Sequence, residues 1–268
     1  MPELPEVETT VRGLERVLQG RRLTRVEPRR EDMRRAFPED LGQRLTGAVV
    51  TGLARRAKYG LLATDRGDTM VFHLGMSGRW RIDPAELDKH DHLVLETEDG
   101  HRLALNDPRR FGSVDLVRTD ALPGWPAFAG LGPEPFDLTA EDLRRRLAGR
   151  QAAIKLLLLD QRIVAGLGNI YVCEALHRAG INPNRAGGRV SLERLRRLVP
   201  AIRTVLDEAI AAGGSTLRDY AQPDGALGYF STNFAVYDRE GHACPCGGTV
   251  KRFAQGGRST WYCPKCQR

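Results

Sequence analysis

The sequence lacks long hydrophobic runs, and over most of its length it also lacks cysteine. No run of about 18 apolar residues, the length that crosses a bilayer, occurs in it; the longest strongly apolar stretch is IKLLLLD at 154–160. The first apolar residues alternate with Glu and Arg, which argues against a signal peptide. The first 172 residues contain no cysteine, which argues against a disulfide-rich secreted protein. We therefore expect a soluble cytoplasmic protein with no membrane partner.

Acidic residues are fewer than basic ones. The 268 residues include 41 Lys and Arg against 34 Asp and Glu, so the formal net charge is +7 and the pI is about 9.4. This balance favours an acidic partner such as nucleic acid, although many basic proteins bind no DNA. The length suits two modest domains better than one and is sufficient to bury a hydrophobic core.

Four of the five cysteines lie in the last 25 residues, in CPCGGTVKRFAQGGRSTWYCPKC. Two cysteine pairs separated by a hairpin-length segment are typical of a structural, tetrahedral zinc site, and a unit this short would depend on the metal to fold. The alternative is four unrelated reduced thiols. The remaining cysteine, Cys173, is predicted to be a small buried hydrophobic residue. The predicted ligands of one zinc ion are Cys244, Cys246, Cys263 and Cys266.

The first cysteine pair departs from the usual ribbon, because Pro245 alone separates its members where two residues are typical. His242 is therefore an alternative ligand in place of Cys244. The tail also lacks Asp and Glu from 241 to 268 while it contains five Lys and Arg. Arg258 follows two glycines and is predicted at a hairpin tip, where a cation suits a phosphate backbone or a groove. A solvated basic face is the alternative.

Hydrophobic periodicity divides the rest of the chain. A helical stripe covers 6–19, and from about 22 to 120 the period changes to two, with turn signals such as Asp99-Gly100. Beyond a Pro- and Gly-rich stretch the pattern is helical again, and Pro200 is predicted to kink or split the last helix. We predict an α+β protein with an N-terminal antiparallel β-sandwich flanked by helices (1–121), a linker (122–138), a helical domain (139–234) and a zinc ribbon (235–268).

Four short stretches precede the cysteine-rich tail in a specific order. They are MPELPEVE at the start, HLGMSGR at 73–79, NDPRRFG at 106–112 and GLGNIY at 166–171. Together they resemble the formamidopyrimidine-DNA glycosylases, base-excision repair enzymes for oxidised purines, and the resemblance runs from residue 2 to the C-terminus. It implies a helix–two-turns–helix element in the helical domain and a lid loop at about 216–230. It also implies a monomer that acts on double-stranded DNA containing oxidised purines or abasic sites, in the cytoplasm and associated with the nucleoid.

The resemblance implies that the chain start is catalytic. Removal of Met1 is favoured because the next residue is small, and Pro2 would then carry an amine that titrates near ~7.7–8.0 and can form an imine with a sugar. Glu3 is the implied proton donor, and Glu6 the residue that orders the base pocket. On the residues alone, both carboxylates could simply complement the helix dipole. The resemblance also implies two phosphate contacts that donate protons: Lys58 in β-elimination and Arg258 in δ-elimination. On the residues alone, Lys58 could lie on a solvated strand face.

Further residues are implied in DNA binding. Met76, Arg109 and Phe111 match the residues that fill the gap left by a flipped base, for which apolar wedges and a planar donor are suitable. Read alone, Met76 and Phe111 are more typical of core residues. Asn169 follows a glycine turn at a helix start, where backbone N–H groups face an anion, although GLGN is often only a turn. The other implied contacts are His73, Lys155 and Tyr237, with a solvated helix face as the alternative for Lys155.

Two rival functions remain. Endonuclease VIII, of the same superfamily, prefers oxidised pyrimidines, but the ELPEV start and the set of Met76, Arg109 and Phe111 argue against it. A non-catalytic zinc-ribbon protein that recognises distorted DNA would share the basic tail but would need no free amine at Pro2.

Overall fold

The computed structural model describes residues 2–216 and 221–268, and the fold is α+β as expected. The chain divides into two compact units, Met1–Ala129 with Ile210–Tyr229, and Gly130–Ala209 with Phe230–Arg268. The first division falls inside the predicted linker. Part of the predicted lid, 217–220, lies outside the described residues.

The first unit contains two four-stranded antiparallel sheets, as the period-two pattern predicts. Their strand orders are β1-β6-β7-β5 and β2-β3-β4-β8. Gly100, with φ +92°, ends the turn between β6 and β7 that the Asp-Gly pair predicts. The strands are β1 Leu23–Pro28, β2 Val50–Arg56, β3 Tyr59–Thr64, β4 Asp68–His73, β5 Arg79–Ile82, β6 Asp91–Thr97, β7 Arg102–Asn106 and β8 Ser113–Arg118.

Helix α1, Leu4–Leu18, contributes its apolar stripe to the core of this unit. Pro5 suits the first turn because the amide that it lacks would have no helical partner there. The stripe is buried together with residues of both sheets, including Phe72 and Trp80, whose rings meet edge to face at 5.6 Å. Two short helices, α2 Leu41–Leu45 and α3 Pro126–Ala129, and a 3-10 turn, Thr119–Gly124, complete the unit.

The second unit is helical, with a small hairpin at its end. Its helices are α4 Ala140–Leu147, α5 Ile154–Leu159, α6 Asn169–Arg178 and α7 Leu192–Ala211, and its hairpin strands are β9 Lys251–Gln255 and β10 Arg258–Tyr262. Helix α7 continues through Pro200, so of the predicted kink or split the split is wrong. Pro200 removes one helical hydrogen bond, but buried residues on both sides of it, Val199 and Ile202, hold the helix against its neighbours. Cys173 is 2% exposed, as predicted.

No helix within 2–216 and 221–268 combines the length and the apolar character that a membrane span requires.

Candidate functional site

The chain start forms a connected buried site at the N-terminus of α1. Pro2 is buried, and Glu3 and Glu6 are each 2% exposed. Glu3 is the N-cap residue, and its N–H donates to Glu6 Oε2 at 2.8 Å. The other oxygen, Glu6 Oε1, accepts the N–H of Ser215 at 2.8 Å. Glu6 therefore does more than complement the helix dipole, because it connects the first turn of α1 to the segment that enters the predicted lid.

Lys58 is buried in a tight turn and does not lie on a solvated strand face. It occupies the turn between β2 and β3 together with Ala57, which has φ +54°, and it is only 8% exposed. Arg55 braces this turn, since its guanidinium donates to the Ala57 carbonyl at 3.0 Å and lies 2.9 Å from Glu8 on α1. The alternative of a solvated strand face is therefore wrong for Lys58.

His73, the last residue of β4, is held in one tautomer. Its Nδ1 accepts the N–H of Gly75 at 3.0 Å, so the neutral ring carries its proton on Nε2 and can donate from there. Burial, followed by the nearby charges of Lys58, Arg34 and Arg35, lowers the pKa of His73 from 6.5 to about 4. The imidazole is therefore neutral at physiological pH, so that any phosphate contact would be a hydrogen bond without a full charge.

This low pKa predicts a loss of stability on acidification. Below pH 6.5 the unfolded chain takes up a proton at this histidine that the folded protein refuses until about pH 4. The free energy of unfolding should therefore fall between about pH 6.5 and about pH 4, by on the order of 3 kcal/mol from this group. Replacement of His73 by Asn, which keeps an acceptor for Gly75, should remove that component in denaturant titrations. An imidazole NMR titration with a midpoint near 6.5 would contradict the prediction.

Met76 and Phe111 are exposed, so the alternative of two core residues is wrong. Their exposed fractions are 39% and 43%, whereas most large apolar side chains of this unit are buried. Met76 lies in the loop 74–78 that follows β4, and Phe111 in the loop 107–112 that follows β7. The guanidinium of Arg109 lies 4.9 Å from the centroid of the Phe111 ring, in a cation–π arrangement. Two apolar side chains and a planar hydrogen-bond donor are thus exposed to solvent on neighbouring loops.

In the second unit, Lys155 and Asn169 bind the hairpin that carries Arg258. Lys155 is fully buried, which rules out the solvated helix face; its Nζ donates to the Ser259 carbonyl at 3.1 Å and to Thr260 Oγ1 at 2.7 Å. Asn169, the first residue of α6, donates from Nδ2 to the same carbonyl at 3.0 Å. Arg258 itself is exposed and follows the Gly256-Gly257 turn, as predicted. Helices α5 and α6 therefore position the residue next to Arg258.

Tyr237 lies on a segment organised by a buried carboxylate that the sequence reasoning missed. Its half-buried ring packs at 4.4 Å from the ring of Trp261. The carboxylate of Glu174, fully buried on α6, accepts the backbone N–H groups of Ala235, Val236 and Tyr237 at 2.8–3.0 Å. The available signal was a single carboxylate inside the apolar stretch NIYVCEAL, since a buried charge needs several donors.

The four tail cysteines form one cluster that fits zinc. Their Sγ atoms all lie within 4.8 Å of one another, with 3.9 Å from Cys244 to Cys266 and 3.5 Å from Cys246 to Cys263. Tetrahedral Zn–S bonds of about 2.3 Å place sulfur atoms about 3.8 Å apart, which matches. The alternative of unrelated thiols is therefore wrong, and the residues fit one structural zinc ion despite the short Cys-Pro-Cys spacing.

The surroundings of the cluster also exclude the histidine alternative. His242 is exposed, its ring lies 3.3 Å from the Glu240 carbonyl, and it is not part of the cluster. Gly248 leaves necessary space, since a Cβ there would lie 2.7 Å from Cys263 Sγ. A different histidine, His177 on α6, approaches Cys244 Sγ with Nε2 at 3.3 Å. It connects the cluster to the helix, as the second contact shell of a metal site commonly does.

Three family models match the chain. The formamidopyrimidine-DNA glycosylase N-terminal domain matches residues 1–114, and the formamidopyrimidine-DNA glycosylase H2TH domain matches residues 131–221. A zinc finger found in FPG and IleRS matches residues 241–268. These three models follow the order of the β-sandwich, the helical region and the cysteine cluster.

Curated relatives and solved structures agree over the full length. The chain is 68% identical to the formamidopyrimidine-DNA glycosylase of Novosphingobium aromaticivorans and 67% identical to that of Rhizorhabdus wittichii, each match covering 100% of both chains. A solved structure of the complex between the Lactococcus lactis Fpg and an abasic site containing DNA superposes with a TM-score of 0.91, at 34% identity and 100% coverage of both chains. The MutM (Fpg) protein of Thermus thermophilus gives 0.89 at 42% identity, covering 99% of this chain and 98% of that one.

Proposed function

Since the chain belongs to the formamidopyrimidine-DNA glycosylase family, we propose that it removes oxidised purines from duplex DNA and then cleaves the strand at the abasic site. The substrates are 8-oxoguanine and formamidopyrimidines. A solved Lactococcus lactis relative is bound to a Fapy-dG containing DNA, and another to an abasic site containing DNA. The observation that carries the proposal is the chain start, where buried Pro2 directly precedes Glu3 and Glu6 at the N-terminus of α1.

Pro2 is the proposed nucleophile once Met1 has been removed. Its amine attacks C1′ of the damaged nucleotide, the C1′–N9 bond breaks, and the base leaves with the bonding electrons and takes up a proton. Glu3 donates a proton to the ring oxygen, the sugar ring opens, and an iminium joins Pro2 to C1′. Glu6, through its bond to Ser215, holds the segment leading to the predicted lid at the base pocket.

The iminium makes both strand cuts possible. It acidifies the C2′ proton, whose loss expels the 3′ phosphate in β-elimination, and a second elimination expels the 5′ phosphate. Lys58 and Arg258 are the proposed phosphate contacts and proton donors for the two steps. Water then hydrolyses the remaining iminium and releases the free amine of Pro2. The zinc ion that the four tail cysteines would bind would stabilise the hairpin that carries Arg258 and would supply no chemistry to these steps.

The remaining predicted residues hold the DNA. Met76 and Phe111 fill the gap left by the flipped nucleotide, and Arg109 donates to the orphaned base. Contacts to the phosphate backbone are assigned to His73, Asn169 and Tyr237. The predicted direct contact of Lys155 is withdrawn, because its side chain is fully buried and positions the hairpin that carries Arg258. Because the protein has a net charge of +7, its binding to DNA should weaken as the salt concentration rises. We place the protein, as a monomer, in the cytoplasm on nucleoid DNA, where its substrate occurs.

Borohydride trapping tests this function. Incubation of Met1-processed protein with an 8-oxoguanine duplex and borohydride should yield a covalent complex whose adduct maps to Pro2, because borohydride reduces the iminium to a stable amine. Excision from a thymine-glycol duplex should be slower. Preferred excision of thymine glycol would instead indicate an endonuclease VIII activity. Tight binding of the lesion duplex with no trapped complex would indicate a non-catalytic DNA-binding protein.

A further inference from the structure

A single buried carboxylate connects the two loops that carry Met76, Arg109 and Phe111. Asp107 is fully buried at the start of the loop 107–112. Its Oδ1 accepts the hydroxyl of Ser77, in the loop 74–78, at 2.6 Å, and its Oδ2 accepts the N–H of Gly112 at 2.8 Å. The hydroxyl oxygen of Ser77 in turn accepts the N–H of Arg109 at 3.3 Å. The bridge therefore closes the second loop on itself and ties it to the first.

The two loops also meet backbone to backbone. Gly75 has φ +62°, and a Cβ there would lie 2.3 Å from the carbonyl carbon of Phe111. A Cβ on Gly112 would lie 2.8 Å from the His73 carbonyl oxygen. Between Arg109 and Phe111, Arg110 adopts φ +56°, a left-handed conformation that a non-glycine residue keeps only when its surroundings hold it. The close backbone contact and the polar bridge therefore join the same two loops.

Asp107 is itself anchored to the sheet. Its N–H donates to the His90 carbonyl at 3.0 Å, and its carbonyl lies 2.9 Å from Nε2 of buried His92. The bridging residues and the side chains that they organise differ in solvent exposure. Asp107 is 0% and Ser77 5% exposed, whereas Met76 is 39% and Phe111 43% exposed. The bridge is thus enclosed by protein while Met76 and Phe111 face solvent.

We propose that Asp107 and Ser77 are positioning residues that hold Met76, Arg109 and Phe111 in one fixed arrangement for insertion into the duplex. This inference rests on the proposed function. Insertion immobilises three side chains on two loops, and that ordering opposes binding unless it is already present in the free protein. The bridge holds the two loops in this arrangement before DNA binds. The bridge should therefore increase the rate only for duplex substrates, in which the flipped nucleotide leaves a gap for these side chains to fill.

Ser77→Ala tests the bridge with two substrates. It removes the link between the loops but leaves the Gly112 bond to Asp107 in place. Excision of 8-oxoguanine from a duplex, measured as kcat/KM, should fall about tenfold, the usual effect of losing a hydrogen bond to a charged group. Cleavage of a single-stranded abasic oligonucleotide, which has no gap and no orphaned base, should fall less than about twofold on the same principle. The informative quantity is the ratio of the two rates.

Thr69→Val is the matched control. It removes a buried hydroxyl from β4 in the same unit, where Thr69 Oγ1 lies 2.9 Å from Thr119 Oγ1 and takes no part in the bridge. The ratio of duplex to single-strand rates should equal that of the wild type. A ratio in Ser77→Ala equal to that of the wild type would overturn the inference. If both rates had fallen equally, the substitution would have caused only general destabilisation.

A double-mutant cycle shows whether Ser77 acts through the inserted side chains. In a Phe111→Ala background, the effect of Ser77→Ala on the duplex reaction should shrink markedly, because part of the arrangement that it holds is gone. Full additivity of the two substitutions would contradict the proposal. A wild-type protein that cleaves neither substrate would refute the proposed function itself, an outcome distinct from an active wild type whose rate ratio Ser77→Ala leaves unchanged.

Discussion

One or two residues added ahead of Pro2 are expected to abolish base excision and strand cleavage while lesion-DNA binding persists. An added residue converts the Pro2 amine into an amide, which has no lone pair available for attack on C1′. Loss of a covalent nucleophile typically lowers kcat by a factor on the order of 10⁴ or more. Single-turnover cleavage of an 8-oxoguanine duplex and borohydride trapping measure the loss. Gel-shift titration of an uncleavable abasic-site analogue should give a Kd within about tenfold of that of the processed protein, because the contacts that bind the ground-state DNA remain.

The matched control is the same protein with the added residues removed by a protease, so that the chain again begins at Pro2. Cleavage and trapping should both return. Equal activity of the extended and the processed protein would contradict the assignment of Pro2 and would direct the search to another amine, with buried Lys58 the first to test.

Loss of the zinc ion should weaken DNA binding without unfolding the β-sandwich. Binding of a structural zinc contributes roughly 10–16 kcal/mol in small metal units, which is more than the segment 241–268 can replace from its own core. The hairpin anchored by Lys155 and Asn169 would then lose its shape around Arg258. Cys263→Ser should retain little zinc, by metal analysis of the purified protein. Its Kd for an abasic duplex should rise at least about tenfold, as expected for lost phosphate contacts.

Cys173→Ala provides the control, because Cys173 is a buried cysteine of the same unit that is not part of the cluster. It should keep one zinc ion per chain and near-normal affinity. Normal binding by zinc-free Cys263→Ser would mean that the hairpin is stable without the metal or does not contact DNA. Circular dichroism of both variants checks that the strands of the first unit persist.

Local patterns were sufficient for several features of the chain. The strand region, the Gly256-Gly257 hairpin tip and the zinc ligands were predicted correctly, because each depends on residues that are near neighbours in sequence. Helix α1 was also predicted, although it begins at Leu4, two residues before the predicted stripe. A helix cap, a turn and a metal knuckle are set by spacing and by backbone preference. The domain limits and the catalytic and DNA-binding roles stay predictions that the experiments above address.

The environments of the charged residues were harder to predict. Lys58 and Lys155 had solvated faces as alternatives, yet both are buried, one in a β-turn and the other against the carbonyl of Ser259. Burial of a charge depends on donors and acceptors supplied by distant parts of the chain, and Lys155 and Ser259 are 104 residues apart. The split expected at Pro200 was wrong for a related reason, since tertiary packing outweighs a single lost hydrogen bond.

By itself, the sequence determined the kinds of chemistry present: an amine that Met1 removal would free, carboxylates at a helix start, four thiols at metal spacing and two apolar wedges beside an arginine. Only the tertiary structure decided how these groups are held. The Asp107–Ser77 bridge spans 30 residues, the Glu6–Ser215 bond 209, and Glu174 reaches Tyr237 across 63. Side-chain type and local spacing carry no information about such pairs. Each exists because a buried polar group must find a partner wherever the folded chain provides one.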